Sequence, residues 1–342
     1  MNRKPTIRDI AKRAGVSDTA VSLAFQTNSR LSEKTRERIL AIARELNYFP
    51  NRTARALRSG GPVSIGFIVT DITDPFYSRM IRSAERIALE CGYNLLFAES
   101  NWDPDKEVQV VSSMIESRVL GVLMCFCEKT PKSMTLIEQS KLHVIAVDTY
   151  PPSYRGPYVA NDVESAGYMA AEHLVSVGSR HPVFFNANES MSSFSSFHLL
   201  LRGFSTYLRE QGIVFGDSSV VNSDITIEGG IQGFSRLLSS GQRFDGIFCV
   251  NDLCALGAID AAERNGFTVG RDVAIMGIDN LEIAGVSRIS LTSIDQPYDR
   301  IIELAARSLI ESIESNQPRA IRKRLKPSLV VRESTSLEKA ST

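Results

Sequence analysis

The sequence predicts two parts of different fold class, a small all-α head followed by an α/β body with two parallel sheets. In the first sixty residues, apolar side chains repeat at helical spacing in three short segments. From residue 64 onward, short apolar runs alternate with longer amphipathic stretches, which is typical of parallel strands joined by helices. The first sixty residues hold 13 Lys and Arg against 5 Asp and Glu, whereas the remainder holds 26 against 34. We therefore expect an anionic partner for the head alone.

Three helices are predicted in the head. The first begins at Thr6, where Asp9 three residues later completes a capping-box pattern, and Gly15 can end it. The second begins at Ser17 after a tight turn, and the third begins after Ser32. Two small helices that are joined by a glycine-containing turn and braced by a third have the geometry of a helix-turn-helix unit.

The outer face of the second helix carries short polar side chains and one leucine. In a helix-turn-helix unit, this face enters the major groove of DNA with its N-terminal residues at the base edges. Asp18 can accept a hydrogen bond from a cytosine amino group, whereas Thr19 and Leu23 can contact a thymine methyl group. From the spacing alone, an amphipathic helix whose exposed face has no partner fits equally well.

The segment after the third helix combines a helix-breaking proline with several arginines. Pro50 ends the third helix, and Asn51 can cap a short helix that carries Leu57 among three arginines. A leucine in an arginine-rich segment fits a wedge that enters the minor groove and unstacks a base step. Read alone, the segment is equally compatible with a solvated linker that ends in a Gly-Gly-Pro sequence.

The body contains two successive series of strand-like segments with helical segments between them. The first series is SIGFIV, NLLFA, GVLM and HVIAV, and the second, from Tyr158, is YVAN, PVFFN, SVVNSD, GIFCV and VAIMGI. Two such series indicate two α/β subdomains, each with its ligand-binding groups at the carboxyl ends of the strands. The cleft between the subdomains is the expected small-molecule site.

Polar side chains follow the ends of several of these strands. Carboxylate and amide groups there can hydrogen-bond the hydroxyls of a sugar or nucleoside, but each can equally cap the helix that follows. The candidates from this pattern are residues 70–74, Asp148, Asn161, Asp162, Asn251, Asp252, Asp279 and Asn280.

Several functional classes lack support in the sequence. The N-terminal segment has no apolar signal-peptide core and no apolar run is long enough for a membrane span, so we expect the chain in the cytoplasm. The five cysteines lack CxxC spacing and are expected to be buried, reduced thiols. No dinucleotide-binding, nucleophile-elbow or P-loop motif is present, and the histidines show no metal-ligand spacing, so no enzyme, cofactor or metal site is expected. A periplasmic-type solute receptor would share the body but would need an export signal and no basic head.

Two stretches of the head, TIRDIAKRAGVSDTAVSLAF and SEKTRERILAIARELNYFPNRTARALRSG, resemble the DNA-binding head of the LacI/GalR family of bacterial transcription regulators. The body resembles the effector domain of that family, which is itself similar to periplasmic sugar-binding proteins. This resemblance lies in DPFYSRMIRSAER, NDLCALGAIDAAERNG, DVAIMGIDN, LTSIDQP and PSLVVREST. Together the two resemblances cover about residues 5–335.

The resemblance implies a repressor of transcription, not an enzyme, that binds a near-palindromic operator as a homodimer. A small, sugar-like effector in the cleft between the subdomains would modulate its affinity for double-stranded DNA. A tetramer is not expected, since the leucine heptad segment of tetrameric members has no counterpart after VVREST. The alternative is the same DNA-binding role under the control of a partner protein, or without a small-molecule effector.

The resemblance also implies a division into domains. The head is expected to comprise a helix-turn-helix domain over residues 1–49 and a hinge helix with linker over 50–61, followed by the body over 62–335 and a tail over 336–342. Within the body, the N-subdomain comprises residues 62–160 and 293–325, and the C-subdomain comprises residues 161–292 and 326–335.

By the same resemblance, residues 17–23 form the recognition helix, and Leu57 matches the leucine that opens the central base step of the operator. The DNA-contacting residues implied are Ser17, Asp18, Thr19, Ser22, Leu23, Ser32, Thr35, Asn51, Ala54 and Leu57. The effector-contacting residues implied are Phe76, Asp148, Asp162, Ser196, Asn251 and Asp279.

Two positions depart from the family pattern. Many members have an arginine where this chain has Leu23, so we predict operator half-sites without a guanine read at that position. The family usually has an effector-gripping arginine at the position of Leu200. His198 could substitute for it in part, whereas Arg202 would point from a different helix face. We therefore expect an effector that is less polar, one that is bound differently, or a protein partner in its place.

Overall fold

The structure is a computed structural model that describes residues 6–24, 31–46, 64–127, 131–148, 150–188 and 195–336. The chain divides into two units, Met1–Val63 and Ser64–Thr342. The predicted hinge helix and linker over residues 50–61 lie outside the described residues, as does the predicted tail from residue 337 onward.

The described part of the first unit contains α1 (Ile7–Ala14), α2 (Asp18–Ala24) and α3 (Glu33–Glu45). The predicted capping box is present at the start of α1, where the backbone N–H of Thr6 donates to the Asp9 carboxylate over 2.8 Å. Gly15 ends α1 with a φ of +64°, a left-handed conformation that glycine adopts without strain. The three predicted helices are confirmed, and they enclose a small core of Ile10, Ala11, Ala14, Val21, Ala24, Ile39 and Ala43.

The second unit begins with strands and helices that form a first lobe. In chain order these elements are β1 (Ser64–Val69), α4 (Pro75–Glu90), β2 (Asn94–Glu99), α5 (Pro104–Glu116), β3 (Gly121–Met124), α6 (Pro131–Ser140), β4 (His143–Val147) and β5 (Tyr158–Asn161). Asp74 caps α4, because its carboxylate accepts a hydrogen bond from the backbone N–H of Phe76 over 2.9 Å.

The chain then crosses into a second lobe of similar design. Its elements are α7 (Val163–Ser176), β6 (Pro182–Ala187), α8 (Ser195–Glu210), β7 (Val220–Ser223), α9 (Ile227–Ser239), β8 (Gly246–Cys249), α10 (Asp252–Arg264), β9 (Ala274–Ile278) and β10 (Thr292–Asp295). Thr226 and Asn251 cap α9 and α10 with their side-chain oxygens.

The chain crosses between the lobes twice more. It returns to the first lobe for α11 (Tyr298–Ser315) and β11 (Arg322–Leu325), and its last strand, β12 (Ser328–Val330), joins the second. The first sheet is parallel throughout, with the order β11-β5-β4-β3-β1-β2. The second has the order β12-β10-β9-β8-β6-β7, in which β12 is antiparallel to β10. Both sheets carry a buried apolar cluster on each face.

Two glycines fix the distance between α7 and α8. A Cβ added at Gly167 would lie 1.9 Å from the carbonyl oxygen of Leu200, and one added at Gly203 would lie 1.9 Å from that of Glu164. The two helix backbones therefore touch where a larger residue could not fit. This contact positions the first turns of α8, which carry Ser196 and Leu200 to the cleft.

Every strand and helix predicted between residues 64 and 278 is present. The sequence pattern did not predict β10, α11, β11 or β12 as elements. β10 pairs with β9 through Ile294, so the chain returns to the first lobe after Asp295. The predicted division placed that return at about residue 293, which lies within β10.

The five cysteines are free thiols, four of them buried. Within the described ranges, no group of three or more His, Cys, Asp or Glu side chains could hold a metal ion. In the same part of the chain, no helix combines the length and apolar character that a membrane crossing requires.

Candidate ligand cleft and DNA-binding face

Five predicted effector-contacting residues meet in the cleft between the lobes. They line a cavity of about 70 Å³, the inner cavity. Phe76 and Asp148 come from the first lobe, whereas Ser196, Asn251 and Asp279 come from the second. Each lies just beyond a strand or in the first turn of a helix, where parallel α/β sheets present their binding groups.

The sixth predicted residue, Asp162, has a different role. Its carboxylate caps α7, accepting hydrogen bonds from the backbone N–H of Ser165 over 3.3 Å and from the Ser165 hydroxyl over 2.7 Å. It lines neither the inner cavity nor the larger cavity beside it. Of the two roles that the sequence pattern left open for Asp162, the structure shows the helix cap.

Two of the cleft carboxylates are held in uncommon backbone conformations. Asp148 has a φ of +61° and accepts hydrogen bonds from the Tyr77 hydroxyl over 3.2 Å and from the Asn161 amide over 3.3 Å. Asp279 has a φ of +110° and accepts a hydrogen bond from the Gln296 amide over 2.6 Å. Positive φ at non-glycine residues stores backbone strain, and such strain concentrates at functional sites.

Four carboxyl groups lie in or beneath the cleft and repel one another. Burial raises the pKa of Asp148 to about 6 and the pKa of Asp252 to about 7. Burial also raises the pKa of Asp279 well above its ordinary value, with a further increase from the charges of Asp74 and Asp252. The pKa of Asp74 itself is raised by burial. None of the described residues that line the inner cavity is Lys, Arg or His, so the cavity favours a ligand that donates hydrogen bonds and disfavours an anion.

In the head, the outer face of α2 is available to a partner. Ser17, Asp18 and Thr19 are exposed, and Leu23 is partly exposed. The Ser17 hydroxyl accepts a hydrogen bond from the backbone N–H of Ala20 over 3.1 Å and so caps α2. The predicted recognition face is thus polar at its N-terminal end and apolar one turn later.

The predicted contacts at the start of α3 also lie at a helix N-terminus, which favours phosphate binding. The hydroxyls of Ser32 and Thr35 are 2.8 Å apart, and Ser32 is exposed. The predicted DNA-contacting residues Asn51, Ala54 and Leu57, and the side chain of Ser22, lie outside the described residues.

Comparison with known proteins identifies the family. Residues 6–51 match the bacterial regulatory proteins of the lacI family, and residues 171–335 match a periplasmic binding protein-like domain. The HTH-type transcriptional regulator DegA of Bacillus subtilis (strain 168) is 31% identical over 339 residues, covering 97% of this chain and 98% of that protein. The chain belongs to the LacI family. It is therefore a DNA-binding regulator of transcription rather than an enzyme.

Further members of the LacI family match along most of their length. Catabolite control protein A of Priestia megaterium is 30% identical over 304 residues, covering 89% of this chain and 91% of that protein. A crystal structure of the Lac repressor dimer bound to operator and the anti-inducer ONPF matches with a TM-score of 0.84 and 24% identity. That match covers 98% of this chain and 100% of the Lac repressor chain. At this identity, the structural match establishes the shared fold.

The departure from the LacI-family pattern at Leu200 is visible in the cleft. Leu200 is buried and lines the inner cavity. Arg202 points elsewhere and makes a two-pronged ion pair with Glu164, in which Nε lies 2.7 Å from a carboxylate oxygen. His198 lines the neighbouring cavity instead. Neither Arg202 nor His198 therefore lines the inner cavity, where the family's arginine would be expected.

The structure adds cleft residues that the sequence analysis did not select. Tyr77, Trp102 and Gln296 line the inner cavity, and Tyr77 and Gln296 hold its carboxylates. Trp102 is the single tryptophan of the chain and adopts a φ of +56° in the connection after β2. A lone tryptophan just beyond a predicted strand was the available signal, but nothing in the sequence placed it opposite the second lobe.

Several contacts between described residues join the lobes across the cleft. The Asn251 amide donates to the Asp74 carboxylate over 3.3 Å, and the rings of Trp102 and Phe197 lie 5.9 Å apart. Arg79 of α4 donates to the backbone carbonyl of Asn280 in the second lobe over 3.1 Å. The lobes are therefore closed on each other in this structure.

Replacing Arg79 by methionine is expected to loosen this closure. The guanidinium also donates to the Tyr298 hydroxyl over 2.8 Å and lies 4.1 Å from the centre of its ring, so one substitution removes several contacts. Acrylamide quenching of Trp102 fluorescence should increase because the indole becomes more accessible. Arg82→Met, on an exposed position of the same helix, is the control and should leave quenching unchanged. Equal quenching in both variants would contradict the bridging role of Arg79.

Proposed function

We propose that this chain is a repressor whose affinity for operator DNA changes when the uncharged, polyhydroxylated part of a molecule of the sugar class occupies the inner cavity. The observation that carries this proposal is the lining of the inner cavity. It combines buried carboxylate and amide groups with aromatic walls and contains no cationic side chain among its described residues. Carboxylates accept hydrogen bonds from several hydroxyls at once, and aromatic rings pack against the apolar face of a sugar.

The size of the inner cavity links binding to movement of the lobes. About 70 Å³ is far below the roughly 300 Å³ or more of a typical ligand pocket, so a sugar enters only when the lobes shift apart. A ligand then changes the equilibrium between lobe arrangements by its different affinity for each. Coupled ordering of the segment over residues 50–61 would pass this change to the DNA-binding head.

The head supports sequence-specific binding to double-stranded DNA, in which we expect Asp18, Thr19 and Leu23 at the base edges and Ser17, Ser22, Ser32 and Thr35 at phosphates. One recognition helix reads only a few base pairs, so two copies on a near-palindromic operator are expected. The sixth predicted effector contact, Asp162, is not part of this proposal. We expect the protein to act in the cytoplasm, where the operator is.

The experiment uses Trp102 as an intrinsic reporter, because it is the single tryptophan and lies in the cleft. A panel of uncharged pentoses, hexoses and disaccharides is titrated while its emission is recorded, and operator affinity is then measured with each sugar that changes it. We expect at least one sugar to change both the Trp102 emission and the affinity for operator DNA. Asp279→Asn should weaken that sugar's binding by about tenfold or more, since an amide NH2 group, which only donates, replaces one of the two carboxyl oxygens. Operator binding that no uncharged sugar alters would favour control by a partner protein.

Replacing Phe97 by aspartate is expected to convert a dimer into a monomer. Phe97 is 53% exposed on the edge strand β2, beside Leu96 and near the exposed Leu89 of α4, so the first lobe presents apolar side chains at an unpaired sheet edge. Light scattering after size exclusion should give the dimer mass for the unmodified chain and the monomer mass for the variant. Val214→Asp alters an apolar residue that is 94% exposed in the second lobe and should remain dimeric. A tetramer, or a dimeric Phe97→Asp variant, would contradict this assembly.

A further inference from the structure

A second cavity of about 540 Å³ lies directly beside the inner cavity. The two are contiguous, since Asp148, Val163 and Ser196 line both. The walls of the second cavity come from the connection between β4 and β5, the edge strand β11 and the first turns of α7 and α8. Because tyrosine and arginine side chains dominate its lining, it is called here the Tyr–Arg cavity.

Three guanidinium groups in the Tyr–Arg cavity have no carboxylate partner among the described residues. Arg324 donates to the Tyr150 hydroxyl over 3.0 Å and 3.2 Å, and Arg155 donates to the backbone carbonyl of Pro152 over 2.6 Å. Arg322 donates to the backbone carbonyl of Arg155. These neutral oxygens satisfy hydrogen bonds without neutralising the three charges. The charge of Asp162 acts on Arg324 without forming an ion pair with it, and Asp148 and Glu164 also line the cavity.

Two of these guanidinium groups belong to strand β11 and lie on the face of the strand that lines the cavity. Arg322 and Arg324 lie two residues apart and so share one face of the strand, whereas Lys323 between them faces the other way. Their strand neighbours are Tyr158 and Ala160, which also line the cavity. Lys323 does not line it, although it carries the same charge on the same strand.

A buried polar group without a partner marks the boundary between the two cavities. Asn161 is 4% exposed and lines the Tyr–Arg cavity. Its amide nitrogen donates to Asp148, but no described group donates to its side-chain oxygen. A buried, unpaired acceptor costs free energy, and a hydroxyl or water in the cavity would remove that cost.

The aromatic side chains complete the lining. The rings of Tyr150 and Tyr158 are stacked with their centres 4.5 Å apart, and Tyr154 packs against Phe126 at 5.1 Å. The cavity therefore joins an apolar floor to a cationic wall.

 The tyrosine hydroxyls add no negative charge to this wall. Burial raises the pKa of Tyr154 above its ordinary value, and burial likewise raises the pKa of Tyr150. Both hydroxyls are therefore neutral near pH 7. The Tyr154 hydroxyl already donates to the backbone carbonyl of Pro157 over 3.1 Å, whereas the Tyr150 hydroxyl accepts from Arg324 and can still donate to an anion. The neighbouring ion pair between Arg202 and Glu164 is internally balanced, so it leaves the excess positive charge with the three unpaired arginines.

We propose that the Tyr–Arg cavity binds an anionic group, a phosphate or a carboxylate, carried by the molecule whose hydroxyl-bearing part occupies the inner cavity. The guanidinium fork matches the oxygens of both groups, and water is partly excluded by the tyrosines. The link to the inner cavity rests on the proposed function, whereas anion binding by the three arginines does not. Carboxylates would bind the hydroxyls of the ligand in the inner cavity, and arginines would bind its anionic group in the Tyr–Arg cavity.

Inorganic phosphate is the probe for the anion site. Thermal unfolding of the full chain is followed in rising phosphate, with chloride adjusted to constant ionic strength, for three proteins. The unmodified chain and Lys323→Gln should be stabilised by phosphate to the same extent. The double variant Arg322→Gln/Arg324→Gln should need about tenfold more phosphate for the same shift. Phosphate bound by the basic head contributes equally to all three proteins, so the difference between the two strand variants isolates the cavity.

An equal response of the three proteins to phosphate, or no response in any of them, would overturn the proposal. Both glutamine variants lie on an exposed edge strand, and their unfolding temperatures without phosphate show that each is folded. Failure here is distinguishable from failure of the proposed function, which is measured with uncharged sugars, Trp102 emission and operator affinity.

A second comparison tests the link between the compartments and separates the two anions. Glucose, glucose 6-phosphate and glucuronate are titrated against Trp102 emission. We expect glucose 6-phosphate or glucuronate to bind more tightly than glucose. This difference in affinity should disappear in the double variant and persist in Lys323→Gln. The anion that binds more tightly is then the preferred one. Equal binding of all three molecules would contradict the link.

Discussion

Replacing Gly203 by alanine is expected to lower the free energy of unfolding by about 3 kcal/mol or more. The added Cβ would lie 1.9 Å from the carbonyl oxygen of Glu164 and 2.9 Å from the backbone nitrogen of Tyr168. Both obstacles are backbone atoms of α7, so no side-chain rotation relieves the overlap. The helices must separate, which opens the apolar cluster that Phe204 and Leu208 form with the second sheet.

Urea unfolding followed by circular dichroism measures this loss. Gly216→Ala is the matched control, because its added Cβ would meet no atom within 4 Å. The control should unfold within about 0.5 kcal/mol of the unmodified chain. Equal stability of the two variants would mean that α7 and α8 are not in the close contact described here.

Replacing Asp148 by asparagine is expected to stabilise the protein at neutral and higher pH by about 2 kcal/mol. The raised pKa of Asp148, about 6 against an ordinary 3.8, means that ionisation is harder in the folded chain than in the unfolded chain. The expected stabilisation of about 2 kcal/mol is smaller than the full difference in pKa implies, because the Asp148 side chain is partly exposed to solvent. An asparagine side chain has the same shape as the aspartate and can still form hydrogen bonds with Tyr77 and Asn161. The side-chain oxygen of Asn161, which has no partner among the described residues, could accept one of them.

The sign of the pH dependence follows from the direction of the pKa change. A carboxyl group with a raised pKa stabilises the folded state below its unfolded pKa, and this contribution is lost as the pH rises through the folded pKa. For Asp148 the loss occurs between about pH 4 and pH 6, and for Asp252 it extends to about pH 7. His173 acts in the opposite direction, because burial lowers its pKa.

Thermal or urea unfolding from pH 4 to pH 8 tests this prediction. The difference in stability between Asp148→Asn and the unmodified chain should be small near pH 4 and greatest above pH 7. Taking the difference removes the contribution of His173, which is common to both proteins. Asp217→Asn, at an exposed position in a surface turn, should show no such trend. A difference that does not change with pH would show that Asp148 is not the group that titrates.

The sequence predicted most of the fold because the relevant signals are local. The capping box of Thr6 and Asp9 and the apolar runs of the buried strands each depend on residues close together in the chain. β11 escaped prediction because its sequence RKRL carries the charges of an edge strand and lacks an apolar run. α11 does carry an apolar stripe at helical spacing, including Ile302, Ala306 and Leu309, so its signal was present in the sequence but was not used.

The candidate site could be predicted only in part, for a physical reason. Strand-end positions such as Asp148 and Asp279 follow from the α/β pattern. The partners of these residues depend on how the lobes meet, which no local pattern encodes. Trp102 faces Phe197 and Asp74 faces Asn251 across the cleft, although each pair is distant in sequence. The same limit left the cap and cleft roles of Asp162 unresolved until the structure was available.

The most direct test of the account is selection of bound sequences from a random pool of double-stranded DNA by the full chain, repeated over a salt series. We expect a near-palindromic site whose half-sites lack a guanine read at the position of Leu23, with an affinity that falls steeply as the salt concentration rises. A required guanine contacted at that position would contradict the reading of Leu23. Uniform, salt-sensitive binding without any recovered motif would contradict sequence-specific recognition by the head.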